Sequence, residues 1–371
     1  MKLRVYRFSP RVCVLTRGPL KRGVNRKPED HVSELRKDPV INRWVIITTE
    51  RGKRPTDFVP AEPQGEAGIC PFDEGNEHMT PHEIHAVRAP DSLADRRGWK
   101  IRVVPNKYPV LHVEGSIDRE GAGMFDKMNG VGAHEVVIET PLHYDPFHTR
   151  SIESIVELLE VYQRRMADLH RDIRLLYVLV FKNHGVRAGA TLTHEHSQII
   201  ATPIIPKRVG EEINGSFEYF NYKSRCVFCD IIHEEKRFGS RIVYENASFI
   251  TLCPFASRFP FEIWLLPKRH MAGYMMMTRQ EMIELAECLQ VTMRRLAAAL
   301  GEPQYNWMIH AEPNPSLARN PWPDLKEHYH WHFEIMPKLT RVAGFEWGTG
   351  IYINPTPPEE AAAFLREVEF D

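Results

Sequence analysis

An ordered set of elements occurs twice in this chain, and that duplication constrains the fold more than any other feature. In the first copy, Cys70-Pro71-Phe72-Asp73 precedes a β-type run, His134 to Glu139, that closes on Pro141 and His143. A helix over 151–172 follows, then an apolar strand from Leu175 to Phe181 and a small-residue loop from Asn183 to Thr191. The copy ends on Thr193-His194-Glu195-His196-Ser197-Gln198, which runs into Ile199-Ile200-Ala201. In the second copy, Cys226-Val227-Phe228-Cys229 precedes the run Phe261 to Pro267 and then His270. A helix over 278–300, a strand from Tyr305 to His310, a Pro-rich loop over 313–323 and an alternating run from His328 to Pro337 complete it. Internal duplication is the economical explanation of so many elements in one order. It predicts an α+β fold of two tandem halves, 34–207 and 208–371, each an antiparallel sheet with a long helix.

Local spacing supports those elements. Ile152, Ile155, Leu158, Leu159, Tyr162, Met166 and Leu169 recur at helical intervals, as do Met282, Leu285, Leu289, Met293 and Leu296. Thr278 and Glu281 form a capping-box pattern at the start of the second helix. Asn42 to Thr48 is β-branched and aromatic and reads as a strand. Residues 51–55 read as a basic loop, 59–69 as a Pro- and Gly-rich loop, and the glycine-rich segment 114–133 as a mobile loop.

Composition narrows the function class. A net charge of -1 implies no general attraction to nucleic acid or to a membrane surface. No run approaches the roughly 20 apolar residues a membrane helix needs. Six cysteines in 371 residues are too few for a disulfide scaffold, so a Cys-x-x-Cys pair points to metal or redox work in a cytoplasmic protein. The 18 histidines raise the expectation of metal or imidazole chemistry. The first 28 residues are basic and contain no Asp or Glu. Such a start can be an organelle-targeting peptide, but it is poor in Ser and has no amphipathic period. Residues 1–33 are therefore read as a poorly ordered basic extension outside the fold.

The duplicated order yields two candidate metal sets. Cys226, Cys229, His270 and His330 make a Cys2His2 group suited to tetrahedral zinc. Cys70, Asp73, His143 and His194 occupy the matching places in the first half, with a carboxylate where the second cysteine would stand. Zinc accepts carboxylate oxygen, a harder donor than thiolate, so a second zinc site is possible there. With His194 tied to structure, His196 is left for chemistry. A neutral imidazole is a nucleophile toward phosphorus near neutral pH. Strand alternation puts His194, His196 and Gln198 on one face and Glu195 and Ser197 on the other. Gln198 offers a phosphoryl oxygen a hydrogen bond without negative charge, and Thr191 and the backbone at Gly189 can hold further oxygens. The second copy has His332 in the place of His196, but Glu334 in the place of Gln198 and no Gly-Ala-Thr loop. One active and one retired copy are expected.

The His-x-His-x-Gln segment, the Asn183-to-Thr191 loop, Arg36-Lys37-Asp38-Pro39, Pro105-Asn106-Lys107-Tyr108-Pro109 and Gly344-Phe345-Glu346 together resemble the galactose-1-phosphate uridylyltransferase family. This is the two-repeat branch of the histidine-triad superfamily. The stretches 34–58, 256–270 and 344–355 resemble the plant-type ADP-glucose phosphorylase group within it. The resemblance implies ping-pong transfer of a nucleotidyl group from a nucleotide sugar through a nucleotidyl-histidine at His196, with release of hexose 1-phosphate. It implies Asn106, Asn183, Gly189, Thr191 and Gln198 as nucleotide-phosphate ligands and Glu346 as a sugar ligand. It also implies a homodimer, and in some members an iron site to which Glu212, His310, His330 and His332 would correspond. The family usually has Pro between the two histidines and Cys-x-x-Cys in the first metal set, so Glu195 and Asp73 are departures. A uridylyltransferase acting on galactose 1-phosphate is the leading expectation. An ADP-glucose phosphorylase and a non-catalytic nucleotide-binding protein are the alternatives.

Overall fold

The computed structural model describes residues 33–48, 68–316 and 322–370. The basic extension, the 51–55 loop, nearly all of 59–69 and part of the Pro-rich loop fall outside them. In chain order, β1 (Glu34–Lys37), β2 (Trp44–Ile47), β3 (His85–Arg88), β4 (Trp99–Pro105), β5 (Glu120–Ala122), β6 (Phe125–Lys127) and β7 (Ala133–Ile138) lead to α1 (Ile152–Leu169). Strands β8 (Tyr177–His184) and β9 (His196–Thr202) complete the first copy, and α2 (Lys207–Lys223) and α3 (Val227–Phe238) open the second. Then come β10 (Ile242–Glu245), β11 (Phe249–Leu252), β12 (Ile263–Pro267), α4 (Arg279–Leu300), β13 (Tyr305–His310), α5 (Leu325–His328) and β14 (His332–Pro337). The chain closes with α6 (Gly344–Thr349), β15 (Tyr352–Asn354) and α7 (Pro358–Glu367).

The duplication is visible in the strand order. One sheet runs β10-β11-β12-β14-β13-β8-β9-β7-β4-β3. Read from either edge inward, the two halves give the same succession, so β9 and β14, β8 and β13, and β7 and β12 are counterparts. The halves are not separate sheets. They fuse through an antiparallel β13–β8 pair, with Tyr305 opposite His184 and Ile309 opposite Val180. Fusion pairs the backbone of two strands that would otherwise be open edges.

Helices α1 and α4 cover one face of this sheet. Their stripes meet Val103, Val137, Val180, Ile199, Leu265, Trp307, Phe333 and Ile335 in one buried core. Ser151 caps α1 by accepting from Ser154 N, and Thr278 and Glu281 form the capping box of α4. The opposite face carries His196 and Gln198 in the first half and His332 and Glu334 in the second, as period-2 alternation requires. There the halves differ. In the second half, Val209, Ile213 and Phe228 from α2 and α3 pack with Val40 over Ile250, Leu252, Trp264 and Leu266. Approach is close enough that a Cβ on Gly215 of α2 would lie 1.8 Å from Val40 O. In the first half, Phe181, Gln198 and Ile200 stay half-buried on that face.

Strands β1 and β2 pair with each other and, through β2, in parallel with β15. The N-terminal strands thus sit with the C-terminal end of the chain. One local expectation is corrected: the glycine-rich segment contains a hairpin, β5–β6, with Gly121 opposite Asp126. Cys226 is the N-cap of α3 and Cys229 sits in its first turn. No described helix is long and apolar enough to cross a membrane.

Candidate active site and metal centres

His196 opens β9, and the turn before it brings its Nδ1 to His194 O at 2.8 Å. A carbonyl only accepts, so Nδ1 carries the proton and Nε2 holds the lone pair. The ring is buried at 7% exposure, and burial pushes its pKa below the usual histidine value. Both effects leave a neutral imidazole with one nucleophilic nitrogen. Phe72 packs edge-on against the ring, centroids 5.4 Å apart.

Gln198 is oriented by a residue that sequence reading passed over. Val110 N donates to His134 Nδ1 at 3.3 Å, so His134 Nε2 carries the proton and donates to Gln198 Oε1 at 2.7 Å. The carbonyl oxygen of Gln198 is therefore engaged, and its NH2 group is the end left for a phosphoryl oxygen. His134 lies on β7, where Val136 stands opposite Gln198. The signal was the His134-x-Val136 alternation, but only strand register reveals the neighbour. Asn183 is oriented in the same sense, because its Oδ1 accepts from Asn306 Nδ2 at 2.8 Å. Asn106 Oδ1 accepts from Tyr108 N at 2.8 Å, and its Nδ2 lies 3.1 Å from His134 Nε2. His196, Gln198, Asn183, Asn106 and His134 thus share one face.

The loop expectation holds less simply. Gly189 adopts φ +93°, but its N–H bonds to Val186 O at 2.9 Å, and Ala188 N and Ala190 N both bond to Gly185 O. These donors close the loop on itself. Thr191 is exposed on the loop. Glu346 lies in α6, on the C-terminal part of the chain. Its carboxylate accepts from Ala343 N at 2.8 Å and Ile353 N at 3.2 Å, tying α6 to β15.

Both metal sets assemble. In each, the four ligand atoms lie within 4.8 Å of one another. Around Cys229, Sγ is 3.3 Å from His270 Nδ1 and 3.7 Å from His330 Nδ1, and Cys226 Sγ is 4.0 Å from His330 Nδ1. Ligands at zinc bond lengths stand about 3.3 to 3.8 Å apart along a tetrahedral edge, so this set fits zinc. The tautomers agree: His270 Nε2 donates to Lys326 O and His330 Nε2 to Pro267 O, which leaves each Nδ1 lone pair for metal. The first set repeats the design, with His194 Nε2 on Thr140 O at 2.8 Å and Cys70 Sγ 3.8 Å from His194 Nδ1. Asp73 Oδ1, however, lies 2.8 Å from His143 Nδ1 and 3.1 Å from His194 Nδ1. Those are hydrogen-bond lengths, so the carboxylate must withdraw slightly for an ion to enter.

A third group forms from Glu212, His310, His332 and Glu334. It differs from the iron-type set implied by the family resemblance in that His330 lies with the cysteine pair, as the Cys2His2 reading requires, and Glu334 takes its place. His310 Nδ1 is 3.0 Å from Glu212, while Glu334 accepts from the buried Arg258 guanidinium at 2.7 Å. Here His332 repeats the posture of His196, with Nδ1 3.2 Å from His330 O, but Phe228 lies tilted over its ring, centroids 5.1 Å apart and planes 30° from parallel, where Phe72 is edge-on to His196. But Val40, Arg43, Trp264 and Arg258 close over it and leave a space of about 10 Å³. That volume suits one water and no nucleotide. The His332 face is thus occluded, and Glu334 stands where Gln198 stands in the first half.

The likeness to known proteins follows the same halves. Residues 24–206 match the N-terminal domain model of galactose-1-phosphate uridyl transferase, and 212–366 match its C-terminal domain model. The chain is 36% identical to an ADP-glucose phosphorylase of Arabidopsis thaliana over 92% of this chain and 94% of that one. It is 30% identical to a galactose-1-phosphate uridylyltransferase of Thermotoga maritima, over 91% of this chain and 99% of the relative. A crystal structure of the Arabidopsis ADP-glucose phosphorylase with bound ADP-glucose superposes with a TM-score of 0.76 at 32% identity, covering 91% of this chain and all of the other. Two matched domains and relatives spanning nearly the whole chain make this protein a member of the galactose-1-phosphate uridyl transferase family of nucleotidyltransferases.

Proposed function

We propose that this protein transfers a nucleotidyl group from a nucleotide sugar to a phosphate acceptor through a covalent intermediate on His196. The observation that carries the reading is the posture of His196: Nδ1–H held by His194 O at 2.8 Å, and Nε2 unprotonated on the face it shares with Gln198 and Asn183. In the first step, Nε2 attacks the α-phosphorus. The bond to the sugar-phosphate oxygen breaks, and hexose 1-phosphate leaves with the bonding pair. In the second step, an oxygen of the acceptor phosphate attacks the same phosphorus and His196 departs. The amide NH2 groups of Gln198 and Asn183 supply neutral donors to the phosphoryl oxygens as charge builds there. Zinc held by Cys226, Cys229, His270 and His330 would tie α3 to the strand ends at Pro267 and His332. A second ion held by Cys70, Asp73, His143 and His194 would fix the start of β9, so both act as structural supports.

The donor is assigned to ADP-glucose with inorganic phosphate as acceptor. This reverses the order expected from sequence, and the support is the greater identity to the ADP-glucose phosphorylase. UDP-glucose with galactose 1-phosphate remains the second reading on the likeness to the uridylyltransferases. The test is intact mass after brief mixing with ADP-glucose or UDP-glucose, in parallel and without acceptor. An adenylyl adduct that is absent from His196→Asn is expected. A uridylyl adduct alone would reverse the donor assignment. An adduct that persists in His196→Asn would remove the nucleophile.

A further inference from the structure

Glu195 stands where the family usually carries Pro, and the structure gives its side chain a partner that Pro could not have. It is buried at 5% exposure on the helix-covered face of the sheet, behind His196. One carboxylate oxygen pairs with Lys182 Nζ, and the other lies 3.1 Å from His184 Nδ1. Lys182 in turn reaches Glu139 at 2.6 Å, and Arg150 reaches Glu139 at 2.9 Å. Two carboxylates and two permanent cations thus balance inside the fold. Burial alone would raise the Glu195 pKa, but Lys182, with His184 and Arg150, holds it well below the usual carboxylate range. His184 is itself fixed from the other side, stacked on Tyr305 with centroids 4.8 Å apart and planes 15° from parallel.

The positions of these two residues matter more than the bond itself. His184 is the last residue of β8, and Glu195 immediately precedes β9. Between them lies the entire loop that carries Gly189, Thr191 and the metal-set residue His194. The loop cannot adjust freely at its first residue: Gly185 has φ +84°, and a Cβ there would meet Gln304 Cγ at 2.3 Å. A bond from His184 to Glu195 therefore joins the two stems of the loop from beneath the sheet, while Asn183 and His196, the neighbours of those stems, face the substrate side.

Resting on the nucleotidyl-histidine reading above, we infer that His184 and Glu195 are a positioning pair that sets the distance between the phosphate-binding loop and the His196 nucleophile. Neither touches substrate. The pair limits the approach geometry of the first step, and a small displacement there slows attack while leaving ground-state binding nearly intact. His184→Ala removes the bond at a partly exposed site without stranding Lys182, which keeps both carboxylates. His184→Asn places an amide nitrogen where Nδ1 was and restores the donor.

The experiment is rapid-quench intact mass with ADP-glucose, and with UDP-glucose in parallel, on wild type, His184→Ala and His184→Asn, recording both the rate and the final amount of adduct. In His184→Ala the adduct is expected to form about tenfold more slowly, to reach the wild-type amount, and to show a donor KM within about twofold of wild type. His184→Asn is expected to return to within about threefold of the wild-type rate. Equal rates in wild type and His184→Ala would overturn the pair while the wild-type adduct upheld the reaction. A reduced amount of adduct at an unchanged rate would show a merely structural role and also overturn it. Equal defects in the Ala and Asn variants would overturn the hydrogen bond as the cause. Absence of any wild-type adduct would remove the underlying reading and the pair with it.

Discussion

His170 follows the last turn of α1 and is buried at 4% exposure. Neither ring nitrogen has a hydrogen-bond partner among the described residues, and burial lowers the pKa from 6.5 to about 4. The C-terminal end of a helix favours a cation, so desolvation is here the larger effect. Because the folded pKa is depressed, the unfolded chain takes up the proton first as pH falls. The contribution of the neutral ring is fully present above about pH 6.5 and is lost progressively as pH falls from there toward 4. At pH 4.5 the loss is about 2.5 kcal/mol, from 0.59 kcal/mol times the logarithm of the ratio of the two protonation polynomials. His170→Leu removes the titration and keeps an apolar side chain in the space. Urea unfolding of both proteins at pH 7.5 and 4.5 isolates the term, because every other acid-sensitive group is common to the two. Wild type should lose about 2.5 kcal/mol more than the variant between those pH values. Equal losses would show that the ring finds a proton partner or solvent in the folded state, and the reasoning would fail.

Two further perturbations separate the halves. Cys229→Ser should lower zinc content by about one ion per chain and lower the melting temperature, measured by elemental analysis and calorimetry; an unchanged metal count would refute zinc at that centre. Arg258→Met strands the buried carboxylates of Glu262 and Glu334, both 2.7 Å from the guanidinium, and should cost about 3–5 kcal/mol. The rate of adduct formation per folded molecule should stay at the wild-type value, since the occluded His332 face is expected to take no part in the reaction. A slowed adduct would mean that the His332 face contributes to the reaction.

Much of the site was legible because its signals are local or repeated. The Cys-x-x-Cys pair, the His-x-His segments and the two helical stripes need only short spacings, and the duplication fixed which histidines belong together. The Gly-Phe-Glu run carries no spatial signal in the sequence, and only the structure shows the Glu346 carboxylate accepting from Ala343 N and Ile353 N. The backbone donors at Gly189 were expected to face a ligand, yet turn closure within the loop claims that N–H. The helices α2, α3 and α7 were passed over because their stripes are short and interrupted by charge.

By itself the sequence determined the two-copy plan, the strand and helix periods, the metal-ligand types and the one segment with a histidine and an amide in the right alternation. Each is a property of residues within a few positions of one another or of a comparison between the halves. Tertiary structure decided everything that depends on strand register across long separations. It fused the half-sheets through β13 and β8, placed His134 where it orients Gln198, and set Glu195 against His184 under the loop. It also folded residues 38–43 and α2 over the His332 face. The surroundings of the two copies of one motif differ because α2, α3 and residues 38–43 pack over one face and not the other, and packing of that kind is a contact between segments that no local pattern encodes.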